Sequence, residues 1–367
     1  MKVVFCGDFV PTQFTIPSFE SGDVNRLIGR TYQIIEKADF AVANLECALT
    51  DRGTRIRKCG PNLRGKYAYA EVYKKCGFTH LGLSNNHVMD FGIEGFRDTI
   101  KAVKGVGVVP FGYGENDQDS RKPVFIEKDS VRIAIVAVCE HEYSYALRNQ
   151  MGANPFDPFD TMEDIAEAKK SADKVIVMYH GGKEQCEYPS ERLRKACRAM
   201  IRAGADVVLT QHSHCIGCRE CYKGGEIVYG QGDFNFVESF ENPQWCSGLM
   251  IVADISQETI KTEYIPVITN PAGIDLPDET EKQQLLDAFT KRSQTLMDDE
   301  AWLNEWNAFC TAEKQNYYRT APKNAFENIP EGEACGQIFP HYLDCEAHYD
   351  VWKTLFKTWH ADQTSGA

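Results

Sequence analysis

Asp8, Glu46, Asn86, His87, His180, His212 and His214 are the residues of this chain best placed to do chemistry. Each follows a short apolar run: "VVFCGD", "AVANLE", "HLGLSNNH", "VIVMYH" and "VVLTQHSH". Taken singly they have ordinary uses, Asp8 as a turn cap, Glu46 as the start of a loop, His180 as a satisfied core histidine. Together they place carboxylates, an amide and imidazoles at the ends of consecutive apolar segments, and that argues for a metal site. A mixed oxygen and nitrogen set suits Mn, Fe, Zn or Co rather than Mg or Ca alone. One or two such divalent ions would clamp a phosphoryl group and activate a water for attack. His212 and His214 are separated by one serine, a spacing at which their rings would converge on a tight loop. Cys215, Cys218 and Cys221 follow at C-x-x-C-x-x-C spacing, part of an iron–sulfur or zinc pattern with no obvious fourth ligand.

The elements that carry these residues read as strands over Val3–Cys6, Phe40–Asn44, His80–Leu83, Ile133–Val138, Val175–Tyr179 and Val207–Thr210. Their near-continuous apolar character predicts strands covered on both faces. Helical patterns over Asn25–Glu36, Ala70–Lys75, Gly95–Lys104, Thr161–Ala172 and Glu191–Ala203 alternate with them, which argues for an α/β domain with crossover helices. In such sheets ligands collect outside the carboxyl ends of the strands. After residue 220, "EIVYGQGDFNF", "GLMIVADIS" and "TIKTEYIPV" follow without intervening helices, predicting a second sheet or an antiparallel extension of the first. The turn-rich "TNPAGIDLPD" closes this region. We expect one unit over 1–270 and a helical extension over 271–367. The extension would pack on the core through Leu285, Phe289, Leu296, Trp302, Trp306 and Phe309, and through Ala347, Val351, Leu355 and Trp359.

Composition narrows the function classes. The 367 residues are 43% hydrophobic with a net charge of −13, which lacks the basic footprint of a nucleic-acid binder. An acidic chain is also ill suited to anionic membrane surfaces. No stretch approaches the roughly 18 apolar residues of a membrane span. "MKVVFCGDF" runs straight into a strand rather than reading as a signal peptide. The 14 cysteines are then expected as reduced thiols in a cytoplasm. No oligomeric state is specified.

"GDF", "ANLECALT", "GPNLRG", "SNNHVMDFG", "HGGKE", "QHSH" and "IVYGQGDFNF", in this order over about residues 1–255, resemble the bacterial capsule-synthesis proteins of the CapA (PGA_cap) type. Those look like a branch of the calcineurin-like metallophosphoesterases. The resemblance implies a four-layer α/β-β/α sandwich. It implies Asp8 on one metal, Glu46 bridging, Asn86, His180 and His212 on a second metal, and His214 returning to the first. His87 would protonate the leaving oxygen or stabilise the transition state, and Asp90 would orient His87 or a loop. There are two departures. Val10 stands where such phosphoesterases usually carry a histidine ligand. Asp233 replaces the asparagine of the usual "GNF", either as an extra ligand or as a modifier of substrate charge preference.

Substrate contacts are expected from three stretches. "RIRKCGPNLRG" supplies Arg55, Arg57, Lys58 and Arg64, a cation cluster for an anionic substrate or else a solvated basic loop, with Asn62 beside them as a further contact. "CEHEYS" supplies Glu140, His141 and Glu142, and "HGGKE" supplies Lys183 and Glu184. Three functions remain open: a metal-dependent phosphoesterase-like hydrolase acting on a small anionic substrate, an amide hydrolase or transferase acting on glutamyl compounds, and a non-catalytic component of a polymer-synthesis complex.

Overall fold

The computed structural model describes residues 1–238, 240–321 and 338–364. Two sheets dominate it. The first runs in the order Gly273–Asp275, Ile260–Asn270, Ser247–Ile255, Lys2–Phe9, Phe40–Leu45, His80–Gly82 and Val109–Phe111, with Asp233–Asn235 beside the end of Lys2–Phe9. The second runs Ile216–Tyr222, Gly225–Gln231, Val207–Gln211, Lys174–His180, Val131–Cys139 and Val124–Lys128. Both alternatives for the later segments are therefore realised. The hairpin of 216–222 and 225–231 joins the second sheet, while 247–255, 260–270 and 273–275 extend the first in antiparallel fashion.

Side-chain alternation sets the layers. Val3 and Phe5 point between the sheets, meeting Ile133, Ile176, Leu209 and Val228 from the other side. Val4 and Cys6 point outward and pack with Val72, Phe96 and Val103. On the second sheet Val136 and Val177 point outward onto Ile165, Leu193, Cys197 and Met200. Because the central strands are covered on both faces, no polar alternation survives in them, whereas the outer strand Ile260–Asn270 still alternates. Ser190 caps the helix Glu191–Ala203 through the Leu193 amide, and Gly204 ends it at φ 124°.

Three segments depart from expectation. The pattern over Asn25–Glu36 breaks into Val24–Ile28, a 3₁₀ turn and Tyr32–Ile35. The break falls at Gly29 (φ 50°), where a Cβ would come within 2.7 Å of the Asp275 carboxyl carbon. "TNPAGIDLPD" contains the short strand Gly273–Asp275 rather than turns alone. The cysteine-rich segment, expected only as part of an iron–sulfur or zinc pattern, forms the strand Ile216–Tyr222.

After residue 278 come the helices Glu279–Leu296 and Asp299–Gln315, capped by Asp278 and Asp298, and then Ile338–Asp344 and Glu346–Thr364. Phe289 packs into the inter-sheet core and Leu296 and Trp302 onto the outer face of the second sheet. Trp306, Val351 and Leu355 form a further cluster. The aromatic stripe is thus a packing face; the side chain of Trp359 lies outside the described residues.

The strand that delivers Asp8 is pressed against its neighbours. A Cβ on Gly7 would lie 2.1 Å from the Gly232 carbonyl oxygen, and one on Gly248 would lie 1.9 Å from that of Asp233. Gly7→Ala is expected to cost about 1–3 kcal/mol by overpacking, read as a lower urea midpoint with an unchanged slope.

Candidate metal centre

Parallel pairing brings the strand ends to one edge. Lys2–Phe9, Phe40–Leu45 and His80–Gly82 run parallel in the first sheet, so Asp8, Glu46 and Asn86 emerge together. Val131–Cys139, Lys174–His180 and Val207–Gln211 run parallel in the second and deliver Glu142, His180 and His212 to the same place. His212 (φ 79°) and His214 (φ 52°) both adopt left-handed backbone. Non-glycine residues pay about 1–2 kcal/mol each for that conformation. It turns the chain tightly after the strand, so the two rings converge, their centroids 6.0 Å apart.

Asp8 is fully buried. It accepts from the Asn44 side-chain amide at 2.7 Å and from the His212 backbone N–H at 3.2 Å. Nε2 of His180 lies 3.0 Å from Asn86 Oδ1 and 3.2 Å from Glu46 Oε1. About 3 Å is the spacing of two ligands that sit about 2.1 Å from one ion at right angles. Asn86 donates its amide to Glu142 Oε2 at 2.8 Å, and Glu142 Oε1 stands 3.6 Å from His212 Nε2. His214 meets Asp233 Oδ1 through Nδ1 at 2.8 Å and stacks on Trp245, ring centroids 4.2 Å apart.

The polar accounting fails at a few atoms. Both carboxylate oxygens of Glu46, Oδ2 of Asp233 and Nδ1 of His212 are buried without a hydrogen-bond partner among the described residues. Such atoms are rare in folded proteins and mark a missing partner. Burial, and then Asp8, push the Glu46 carboxyl well above its ordinary range; burial raises Asp233 to about 6. His214 is buried, yet Asp233, Glu46 and Asp8 hold it well above the usual imidazole range. Burial, with the neighbouring imidazoles, keeps His180 well below that range, as the neutral ring a metal uses. Three sets, Asp8–Glu46–His180, Glu46–His212–His214 and Asp8–His214–Asp233, each place one ligand atom per residue within 4.8 Å of the others. Buried carboxylates without donors, beside convergent imidazoles, fit a divalent cation. These clusters could coordinate one.

Beside this cluster His87 gives its Nδ1 to Asp90 Oδ2 at 2.6 Å, and Lys58 Nζ bonds Asp90 Oδ1 at 2.8 Å. Burial, and then the Lys58 charge, lower His87 to about 4.

The other expected contacts separate. Lys58 is buried and spent on Asp90, whereas Arg57 is exposed. Asn62 ties its loop to the carbonyls of Ile56 and Asp90 rather than facing the cluster. Lys183 is half-buried and Glu184 exposed, the latter near enough to bias the charge of His212. Val10 lies wholly in the apolar core, and Asp233 sits opposite Asp8 in the parallel register. The three cysteines do not converge: Cys215 and Cys218 are buried, Cys221 is exposed, and residues three apart on a strand face opposite ways. No candidate metal cluster among the described residues contains them.

The residues that cover the site carry no signal of that role in the sequence. "CEHEYS" is the dock for the last helix. His141 bonds Glu346 through its ring at 2.7 Å and its backbone N–H at 2.8 Å, and Glu140 accepts from the Ala347 N–H at 3.0 Å. A cleft of about 340 Å³ opens there, lined by His141, Glu142, Tyr143, Tyr145, His341 and Asp344 among others. The hydrogen bond to Glu346 raises the His141 pKa. Its contribution to docking is complete below the ordinary histidine value and is lost as pH rises through the raised one. Amide exchange in 346–364, corrected for intrinsic rates, should therefore quicken as pH rises above the ordinary histidine value. His141→Ala should flatten that dependence.

Among the described residues no helix is long and apolar enough to cross a membrane. Residues 2–238 match the family model described as bacterial capsule synthesis protein PGA_cap. The chain is 32% identical over 211 residues to the capsule biosynthesis protein CapA of Bacillus anthracis, covering 55% of this chain and 51% of that one. It is 30% identical over 240 residues to the PGA biosynthesis protein CapA of Bacillus subtilis (strain 168), covering 64% and 63%. It thus spans between about half and 63% of the length of these curated relatives. A hypothetical protein from Thermus thermophilus superposes with a TM-score of 0.47 at 16% identity, covering 72% of this chain and 98% of that chain. With the family model spanning the strands that carry Asp8, Glu46, Asn86, His180 and His212, this chain belongs to the bacterial capsule synthesis (PGA_cap) family.

Proposed function

We propose that the chain is a metal-dependent hydrolase, phosphoesterase-like in mechanism, with a sandwich of the calcineurin-like metallophosphoesterase type. Residues 1–270 form its catalytic unit and 271–367 a helical extension. The observation that carries this reading is the Glu46 carboxylate, buried with neither oxygen hydrogen-bonded among the described residues, at the point where Asp8, His180, His212 and His214 converge. Asp8, Glu46, Asn86, His180, His212 and His214 hold one or two ions, with Mn, Fe or Zn suited to that donor set. Asp233 orients His214 through Oδ1 and offers Oδ2 in place of the ligand absent at Val10. A bound ion supplies charge to polarise a phosphoryl oxygen and to activate water.

This chain's residues do the rest. Asp90 takes the Nδ1–H of His87 and fixes its tautomer, leaving Nε2 to face the substrate. The resting imidazole is neutral, and an incoming anion raises its pKa, so Nε2 gains the proton it gives to the leaving oxygen. Lys58 holds Asp90 in place, while Arg57, Lys183 and Glu184 at the rim select among small anionic substrates. We place the reaction in a reducing, cytoplasmic setting, where cysteines buried in the apolar core such as Cys6, Cys139 and Cys197 stay thiols. The relatives' names, with PGA biosynthesis among them, favour a second reading in which the same centre cleaves or transfers glutamyl amides.

The metal-loaded protein should be assayed on an aryl phosphomonoester, a phosphodiester and a γ-glutamyl anilide. Phosphoester turnover abolished by a chelator supports the first reading, and anilide turnover alone moves the assignment to the second. Stoichiometric metal with no turnover on any of them overturns both.

A further inference from the structure

The last two helices bring a second set of ligand-bearing side chains against Glu142. Cys345 Sγ lies 3.0 Å from Glu142 Oε1, and the ligand atoms of Glu142, Cys345 and His348 all lie within 4.8 Å of one another. All three side chains are buried. His348 Nδ1 is 2.7 Å from the Tyr317 hydroxyl, and its ring stacks on Tyr342 at 4.1 Å between centroids. That hydrogen bond fixes the ring and leaves Nε2 as the coordinating atom, the usual support for a histidine ligand. His341 Nε2, at 4.0 Å from Glu142 Oε1, is within reach as a fourth ligand, its ring stacked on Tyr143.

We propose that Glu142, Cys345 and His348 hold a zinc ion of their own, closed by His341, that fastens the C-terminal extension across the mouth of the cleft. A thiolate, an imidazole and a carboxylate together select zinc over magnesium, calcium or manganese. On binding, the S–H bond of Cys345 breaks, a Zn–S bond forms, and the proton passes to the buffer. The zinc takes Glu142 through Oε1, because Oε2 already accepts from Asn86. Cys345 and His348 lie beyond the matched residues 2–238 and Glu142 within them, so this ion ties the extension to the segment that the family model matches. The nitrogen and oxygen centre around Glu46 contains no sulfur, so the two sites can be read separately.

The full chain, stripped with a chelator, should be titrated with Co²⁺. A thiolate-to-cobalt charge-transfer band in the near ultraviolet is expected in the wild type and in Glu46→Gln, and its loss in Cys345→Ser. After zinc loading, Cys345→Ser and His348→Ala should each hold about one ion fewer per chain than the wild type. A wild-type protein that binds cobalt without a sulfur band overturns the proposal while leaving the Glu46 centre standing. An unchanged zinc count in a folded Cys345→Ser also overturns it. The band in Glu46→Gln, with metal otherwise reduced, supports the new site independently of the other.

Discussion

Glu46→Gln is expected to make the metal-free protein more stable and to remove most of the stabilisation that added metal gives the wild type. Burial, then Asp8, push the carboxyl well above its ordinary range, and neither oxygen has a donor among the described residues. Without a cation the wild type either carries a proton there or bears an unpaired charge. Glutamine has the same shape and nothing to ionise, so the apo protein should gain about 1–3 kcal/mol. Because the folded pKa is raised, the wild-type penalty is absent in acid and grows as pH climbs above the ordinary carboxylate value. The gain from glutamine should grow over the same span. With metal the sign reverses. A ligand at 100 times its Kd adds about 2.7 kcal/mol, and the variant should forfeit most of that. Urea unfolding with and without Mn²⁺ measures both. A less stable apo variant whose response to metal is intact would remove Glu46 from the centre.

His87→Ala should lower kcat by about 10²–10⁴-fold, the usual range for a lost general acid or base, while plasma mass spectrometry finds its metal content unchanged. The ring is held from behind by Asp90, whose other oxygen is already bonded to Lys58, so truncation leaves that pair in place and should not disturb folding. Asp90→Asn should lose part of the same factor, since it removes the acceptor that fixes the tautomer. Loss of metal in His87→Ala would instead make the residue a ligand.

The strands and their polar ends were legible because parallel strands covered on both faces leave plain apolar runs, and a carboxylate or imidazole closing such a run stands out. The convergence of His212 and His214 was not, since it depends on a left-handed turn that spacing alone does not specify. Asp233 was visible only as an oddity in "GDF"; its place opposite Asp8 depends on a pairing between segments more than 200 residues apart. The docking of Glu346 on His141 is equally remote, the two standing 205 positions apart. Neither partner is unusual in its own neighbourhood. Trp245 carried no signal at all, and its stacking on His214 follows from the turn at 243–246. Lys58 looked like one cation among several in a basic loop, and only burial distinguishes it from Arg57.

Because the strand ends that build the centre are spread from residue 8 to residue 233, the centre also has a timetable. Asp8, Glu46 and Asn86 leave the ribosome first, while His212, His214 and Asp233 follow more than a hundred residues later. At about 5–20 residues per second, the early carboxylates wait on the order of ten seconds for the imidazoles that complete their set. The first sheet cannot close until Ser247–Ile255 arrives to pair with Lys2–Phe9, so the nascent N-terminal half has its ligands but no rigid cradle. An ion held by the full set would therefore be captured late in synthesis, and a translational pause before residue 212 would delay its loading.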